Sequence, residues 1–111
     1  MEKRPCVYIT ASDMNGTLYI GVTSNIHGRM ARHAQGLLEG FTQKYRVTQL
    51  VYYGFFETMP EAIKREKQLK KWNRLWKIRL IESMNADWKN LFDAATGELF
   101  DGPADAARRD V

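Results

Sequence analysis

The chain predicts an α+β domain, and three observations carry that prediction. Apolar residues alternate with a period of two over residues 6–11 and 17–22, on either side of a turn containing Asn15-Gly16. They recur at helical spacing over about 26–38, 60–73 and 74–84. A further short run, residues 49–56 (QLVYYGFF), is apolar on both of its faces, which suits a central strand covered on both sides. With 111 residues, 44% of them hydrophobic, the chain has enough material for one core without disulfide or metal staples.

In the first strand, CVYITA, Val7 and Ile9 alternate with Cys6, Tyr8 and Thr10, the pattern of a half-buried strand. In the return strand, TLYIGV, Leu18, Ile20 and Val22 face one way and Tyr19 and Gly21 the other. If Asn15-Gly16 fills a two-residue turn, Tyr8 lies opposite Thr23; a longer loop centred on Asp13-Met14 sets it opposite Tyr19. The two registers differ by an even shift, so either one puts both phenols on the same sheet face. Gly21 leaves room on that face for a close approach to the backbone. Two tyrosines packed under a helix is the plain alternative to a chemical role.

Asn25 is a suitable N-cap for the helix over 26–38, whose Ile26, Met30, Ala34 and Leu37 are expected to face the core. Arg29 and His33, at i and i+4, share a neighbouring stripe that reads either as a phosphate clamp or as a solvated basic edge. Residues 39–48 read as a loop in which Lys44, Tyr45 and Arg46 are candidate contacts to a nucleic-acid backbone or a stacked base. Thr58-Met59-Pro60-Glu61 is a capping-box pattern opening the next helix. There Ala62, Ile63, Glu66, Leu69, Lys70 and Asn73 fall on one stripe, which turns Glu66 inward. A carboxylate turned toward a core needs a partner. A salt bridge to a local lysine and a hard-cation site, with oxygen ligands of the kind Mg²⁺ prefers, are the two ways to supply one. In the third helix Leu75, Ile78 and Ile81 are expected to face inward, and Trp72, Trp76 and Trp88 read as packing residues rather than base-stacking platforms.

Charge is unevenly spread. Residues 1–92 carry 15 Lys/Arg against 8 Asp/Glu, whereas residues 93–111 carry 2 against 5. We therefore expect a basic body over residues 1–92 with a polyanionic partner, followed by an acidic, mobile tail over 93–111. The single cysteine, Cys6, excludes an internal disulfide and a cysteine-built zinc site. No apolar run approaches the roughly 20 residues that span a bilayer. The basic N-terminus turns straight into a strand pattern rather than a cleavable leader, so a cytoplasmic protein without a membrane partner is expected.

These motifs together resemble a known family. Val7-Tyr8 and Tyr19-Ile20-Gly21, separated by a hairpin, look like the two name-giving motifs of GIY-YIG nucleases. Thr23, Asn25, Arg29 and His33 fit the family's next block, and Glu66 within REKQLKKW fits its metal-binding helix. FTQKY at 41–45 is similar to the loop of small stand-alone bacterial members, which are related to an N-terminal domain of the excinuclease ABC system. The resemblance covers about residues 6–82; Cys6 departs from the family's first glycine.

The resemblance implies a small mixed or antiparallel three-stranded sheet flanked by helices. It also implies an endonuclease that hydrolyses phosphodiester bonds in DNA, of a kind used in DNA repair or recombination. Glu66 would hold a single Mg²⁺ (or Mn²⁺) ion. Tyr8 would activate or orient the water, its ionisation eased by nearby cations, with Tyr19 assisting. Arg29 would neutralise the transition state, and His33 would bond phosphate or Tyr8. Lys67 and Lys70 join Lys44, Tyr45 and Arg46 as expected nucleic-acid contacts, and Asn73 or Asn90 is a candidate for an asparagine that some members use. A separate targeting protein is a possible partner, because no second DNA-binding domain is present. The alternative is a catalytically weak nucleic-acid-binding module of the same fold.

Overall fold

The computed structural model describes residues 4–35 and 47–100. A three-stranded antiparallel sheet is built from β1 (Cys6–Ala11), β2 (Leu18–Thr23) and β3 (Gln49–Phe55), in the order β2-β1-β3. Helix α1 (Ile26–Ala34) covers one face; α2 (Met59–Lys71) and α3 (Arg74–Met84) cover the other. A small hairpin of β4 (Phe92–Asp93) and β5 (Glu98–Leu99) follows. The described part of the chain is thus α+β, as the patterning predicts, and no described helix is long and apolar enough to cross a membrane.

The strand expected at the centre lies instead at an edge of the sheet. β1 is central and buried along its whole length, not half-buried, while β3 lies at the edge. β3 is apolar on both faces because helices cover both faces, and its outer rim is closed by the chain after α3. Asn90 Oδ1 accepts from the Leu50 amide at 3.1 Å, and the Leu91 amide donates back to the Leu50 carbonyl at 2.8 Å. The β1–β3 register shifts between Ile9 and Thr10, so Val51 is a bulged residue. The bulge reverses the alternation along β3, sending Leu50 and Tyr53 to the α1 face and Val51 to the other. Asn85, fully buried, answers the bulge: its Nδ2 donates to the Val51 carbonyl at 3.2 Å and to the Lys89 carbonyl at 2.7 Å, and its Oδ1 accepts from the Lys89 amide at 3.0 Å.

The hairpin register falls between the two expected ones. Tyr8 pairs with Gly21 and Thr10 with Tyr19, which preserves the even shift and hence the shared face of the two phenols. Six residues, 12–17, make the turn, with Asn15 alone in the left-handed region at φ 56°. Gly16 has ordinary φ and is there for space, since a Cβ would sit 2.9 Å from the Asp13 amide nitrogen. The turn is clasped from outside: the Arg74 guanidinium donates to the Asn15 and Gly16 carbonyls, both at 2.6 Å.

The helices start where their caps predict; α1 and α2 end sooner than expected, and α3 ends at Met84 as expected. Asn25 Oδ1 accepts from the Gly28 amide at 3.1 Å, and α1 stops at Ala34 with Gln35 as its cap. Its buried stripe is Ile26, Met30 and His33, so His33 takes the inward place expected for Ala34, which is exposed. Thr58 and Glu61 close the capping box of α2, whose core side is Ala62 and Leu69; Ile63 and Lys70 are exposed. In α3, Ile81 and Met84 are buried while Leu75 and Trp76 point outward, because the α2–α3 corner turns the first helical turn away from the sheet. Trp88 does enter the core, in an uncommon left-handed conformation (φ 57°), with its indole N–H donating to Glu82 Oε2 at 2.7 Å.

Beyond residue 92, the expected boundary of the body, the chain continues as the β4–β5 hairpin. Tyr53 donates its hydroxyl to the Phe100 carbonyl at 3.1 Å, and Leu99 packs against the core. Residues 101–111 of the expected tail lie outside the described residues.

Replacing Asn85 by Ala should destabilise the fold by about 2–3 kcal/mol, since it orphans buried backbone groups of Val51 and Lys89. Chemical denaturation followed by far-UV circular dichroism measures this; a midpoint equal to that of the unmodified protein would refute the role assigned to Asn85.

Candidate functional site: a buried phenol between two charges

Tyr8 is the centre of the site. It lies on the central strand, only 1% exposed, and its ring crosses to β2 above Gly21. A Cβ at Gly21 would meet the Tyr8 hydroxyl and stand 2.5 Å from ring carbon Cζ. The room that Gly21 leaves is therefore filled by the chain's own phenol, which fixes where that hydroxyl lies.

Two other rings border it. The Tyr19 ring is tilted at 42° with its centroid 6.3 Å away, and the His33 ring stands edge-on at 88° and 6.5 Å. His33 is 7% exposed, and its Nδ1 has no hydrogen-bond partner.

Charges reach this cluster from both faces of the sheet. Arg29, one turn before His33 on α1, is exposed, and its positive charge is felt at both Tyr8 and His33. Glu66 comes from α2, which packs over β2 and β1, and its negative charge is also felt at Tyr8. The Glu66 side chain is 14% exposed and paired with Lys70, Nζ to Oε2 at 3.1 Å. Tyr19 and His33 thus border Tyr8, and Arg29 and Glu66 act on it electrostatically.

The electrostatics contain one reversal. Nearby cations are expected to ease ionisation of Tyr8, but its hydroxyl is pushed up to about 12. Burial is the largest cause; Arg29 pulls the other way, and Tyr19, Cys6 and Glu66 add to the rise. At rest the phenol is neutral and holds its proton firmly.

The donor set can be tested against the expected metal. No group of three or more His, Cys, Asp or Glu converges among the described residues. One shielded carboxylate suits Mg²⁺ or Mn²⁺, hard ions that accept one or two carboxylates and fill their remaining positions with water and substrate phosphate. It does not suit an ion held by protein ligands alone.

The remaining expected contacts divide. Lys67 is exposed on α2, whereas Lys70, also exposed, is engaged by Glu66. Lys44, Tyr45 and Arg46 lie outside the described residues. Both candidate asparagines have structural duties: Asn73 Oδ1 caps α3 by accepting from the Trp76 amide at 2.9 Å, and Asn90 Oδ1 accepts from Leu50 and from Phe92, each at 3.1 Å. The Val47 backbone also acts on His33, which no side-chain pattern reveals. Thr23, named with the family block, has a structural duty: its Oγ1 accepts from the Asn25 amide at 3.0 Å and so sets the start of α1.

His33 gives the site a pH dependence. Burial, and secondarily Arg29, hold its pKa below the ordinary imidazole value, with the Val47 bond opposing. The unfolded chain therefore takes up this proton at higher pH than the folded chain does. The stability so gained is complete above about pH 6.5 and is lost as pH falls below it. Denaturation midpoints measured from pH 7.5 to 5.5 should decline in the unmodified protein and flatten in His33→Gln; parallel profiles would remove His33 as the cause.

Comparison with known proteins agrees with this geometry. The family model described as the GIY-YIG catalytic domain matches residues 4–79. UPF0213 proteins of Staphylococcus aureus strains Mu50 and N315 are each 37% identical over 76 residues, 68% of this chain and 92% of theirs. The solution NMR structure of the UPF0213 protein BH0048 from Bacillus halodurans is 26% identical with a TM-score of 0.50, covering 78% of this chain and 92% of that one. With that family model matching well over half of the chain, this chain belongs to the GIY-YIG catalytic-domain family.

Proposed function

We propose that the protein is a metal-dependent endonuclease that hydrolyses phosphodiester bonds in DNA. The observation that carries this reading is that the Tyr19 and His33 rings border the buried Tyr8 ring while the charges of Arg29 and Glu66 are both felt at its phenol.

Hydrolysis requires a positioned water, relief of the charge that builds on phosphoryl oxygens, and help for the departing oxygen. Glu66 would hold a Mg²⁺ or Mn²⁺ ion, which would supply Lewis-acid stabilisation of the charge that builds on the phosphodiester. Arg29, exposed at the mouth of the site, meets the phosphate and its growing charge. Tyr8 orients the attacking water through its hydroxyl, whose placement Gly21 fixes. A phenol with a pKa near 12 is a poor base in its resting state. Tyr8 takes the water's proton only as its own moves on, and the unpaired Nδ1 of His33 beside the ring suits the role of acceptor. Tyr19 borders the same ring and contacts phosphate. Lys67 lies on the exposed side of α2, where it meets the nucleic-acid backbone, and Lys70 joins it once released from Glu66.

The raised pKa of Tyr8 and the Lys70 pairing of Glu66 favour one competing reading, a DNA-binding module of this fold with little turnover. Cleavage assays on a panel of labelled plain, nicked, branched and single-stranded DNA, with Mg²⁺, with Mn²⁺ and with EDTA, separate the two. We expect metal-dependent cleavage. Glu66→Ala and Arg29→Ala should each lower it at least about 100-fold while changing DNA affinity only severalfold, because the wider basic surface supplies most of the binding. Cleavage by Glu66→Ala at the unmodified rate removes the metal assignment, and DNA binding without cleavage on any substrate favours the binding module.

A further inference from the structure

Beside the site just described, one surface carries an exposed aromatic residue that the proposed chemistry does not use. It is the corner where α2 meets α3. Trp76 is 50% exposed there, and its ring stands edge-on to Trp72 at 88°, with centroids 5.8 Å apart. Trp72 is half-buried against the core and is backed by the Arg65 guanidinium, 4.9 Å from its ring centre. Trp76 is thus a large aromatic surface braced from behind and open in front. The expectation that all three tryptophans are packing residues holds for Trp88 and for the inner side of Trp72, not for Trp76.

The setting of that ring is cationic. From residue 64 to residue 79 the chain carries eight Lys and Arg against one acidic residue, Glu66, which Lys70 neutralises. Lys64, Lys67, Lys71 and Arg79 are exposed; Arg74, also exposed, is engaged by the carbonyls of the first turn. A merely solvated helix face has no need of an open indole, and a purely apolar docking face would not be ringed by positive charge. An aromatic platform amid cations is the arrangement that binds a polyanion carrying flat π-faces: the ring stacks a base while the charges hold the flanking phosphates.

We propose that the α2–α3 corner is a second nucleic-acid contact, in which Trp76 stacks an unpaired base while the surrounding cations hold its backbone. This deepens the nuclease reading and rests on it for the identity of the ligand. It assigns the preferred ligand to DNA with a single-stranded segment, since bases paired within a duplex are stacked on one another and offer no free face. Trp72 and Arg65 act as positioning residues that brace the platform. The corner shares α2 with Glu66, so the same helix would carry both the carboxylate and the base contact.

Intrinsic tryptophan fluorescence, recorded in EDTA so that no cleavage intervenes, tests this directly. Titration with a single-stranded oligonucleotide or with a duplex bearing a single-stranded flap should quench the unmodified protein. Trp76→Ala should lose most of the quench and bind those two ligands at least about tenfold more weakly. Trp76→Phe should restore most of the affinity, and binding to a fully paired duplex should change less than twofold in both variants. Equal loss on all ligands, or no loss on any, overturns the proposal. So does a change in sedimentation of Trp76→Ala without a change in DNA binding, which would make the corner a contact between copies of the chain. A selective binding defect in a protein that cleaves nothing would sink the nuclease reading and leave this contact standing; cleavage that proceeds without any Trp76 effect would do the reverse.

Discussion

The structure depends on the close approach of the Tyr8 ring to the backbone of Gly21. The ring belongs to the middle strand of a three-stranded sheet and reaches sideways across its neighbour, a path that any side chain at position 21 would block. A phenol fully free of water in this position cannot choose among rotamers. Its hydroxyl has one location, and Tyr19, His33, Arg29 and Glu66 are all arranged with respect to it. Because β1 is covered on both faces, that location is as rigid as the core itself.

The same burial explains the electrostatic character of the site. Removing the phenol from water disfavours its ionised form, and Glu66 disfavours it further, while Arg29 alone among the named neighbours works in favour. His33 is likewise kept neutral by burial and by Arg29. Both groups are therefore in their uncharged forms near pH 7, a phenol holding its proton beside an imidazole whose Nδ1 has no partner. Any positive charge delivered near Glu66 offsets one of the groups that hold the phenol's pKa high.

Much of this was legible in the chain. Period-two alternation placed Tyr8 and Tyr19 on one face whatever the turn length, since parity survives an even shift in register. The Asn25 and Thr58 caps marked two helix starts, because capping chemistry is local. Edge and centre of the sheet were not legible: burial on both faces looks the same in either position, and the closure of β3 by Asn90 and Leu91 is made by residues 40 positions away. The bulge at Val51 was equally hidden, as nothing near Val51 signals it and the carboxamide that satisfies it is Asn85. Within the site, helical spacing turned Glu66 inward but did not distinguish His33 from Ala34 as the residue beneath α1, since both lie close to the same stripe. The outward turn of Leu75 and Trp76 follows from the angle between α2 and α3, which periodicity within either helix does not encode.

The clasp of Arg74 on the first turn has a consequence for how the domain assembles. A short hairpin closes on its own within microseconds, yet the carbonyls of Asn15 and Gly16 receive their donor from a residue 59 and 58 positions further along. The final stiffening of the ribbon that bears both phenols thus waits until α3 has docked. Local and global order become one event, and a chain interrupted before its third helix would have a loose ribbon, however favourable its turn.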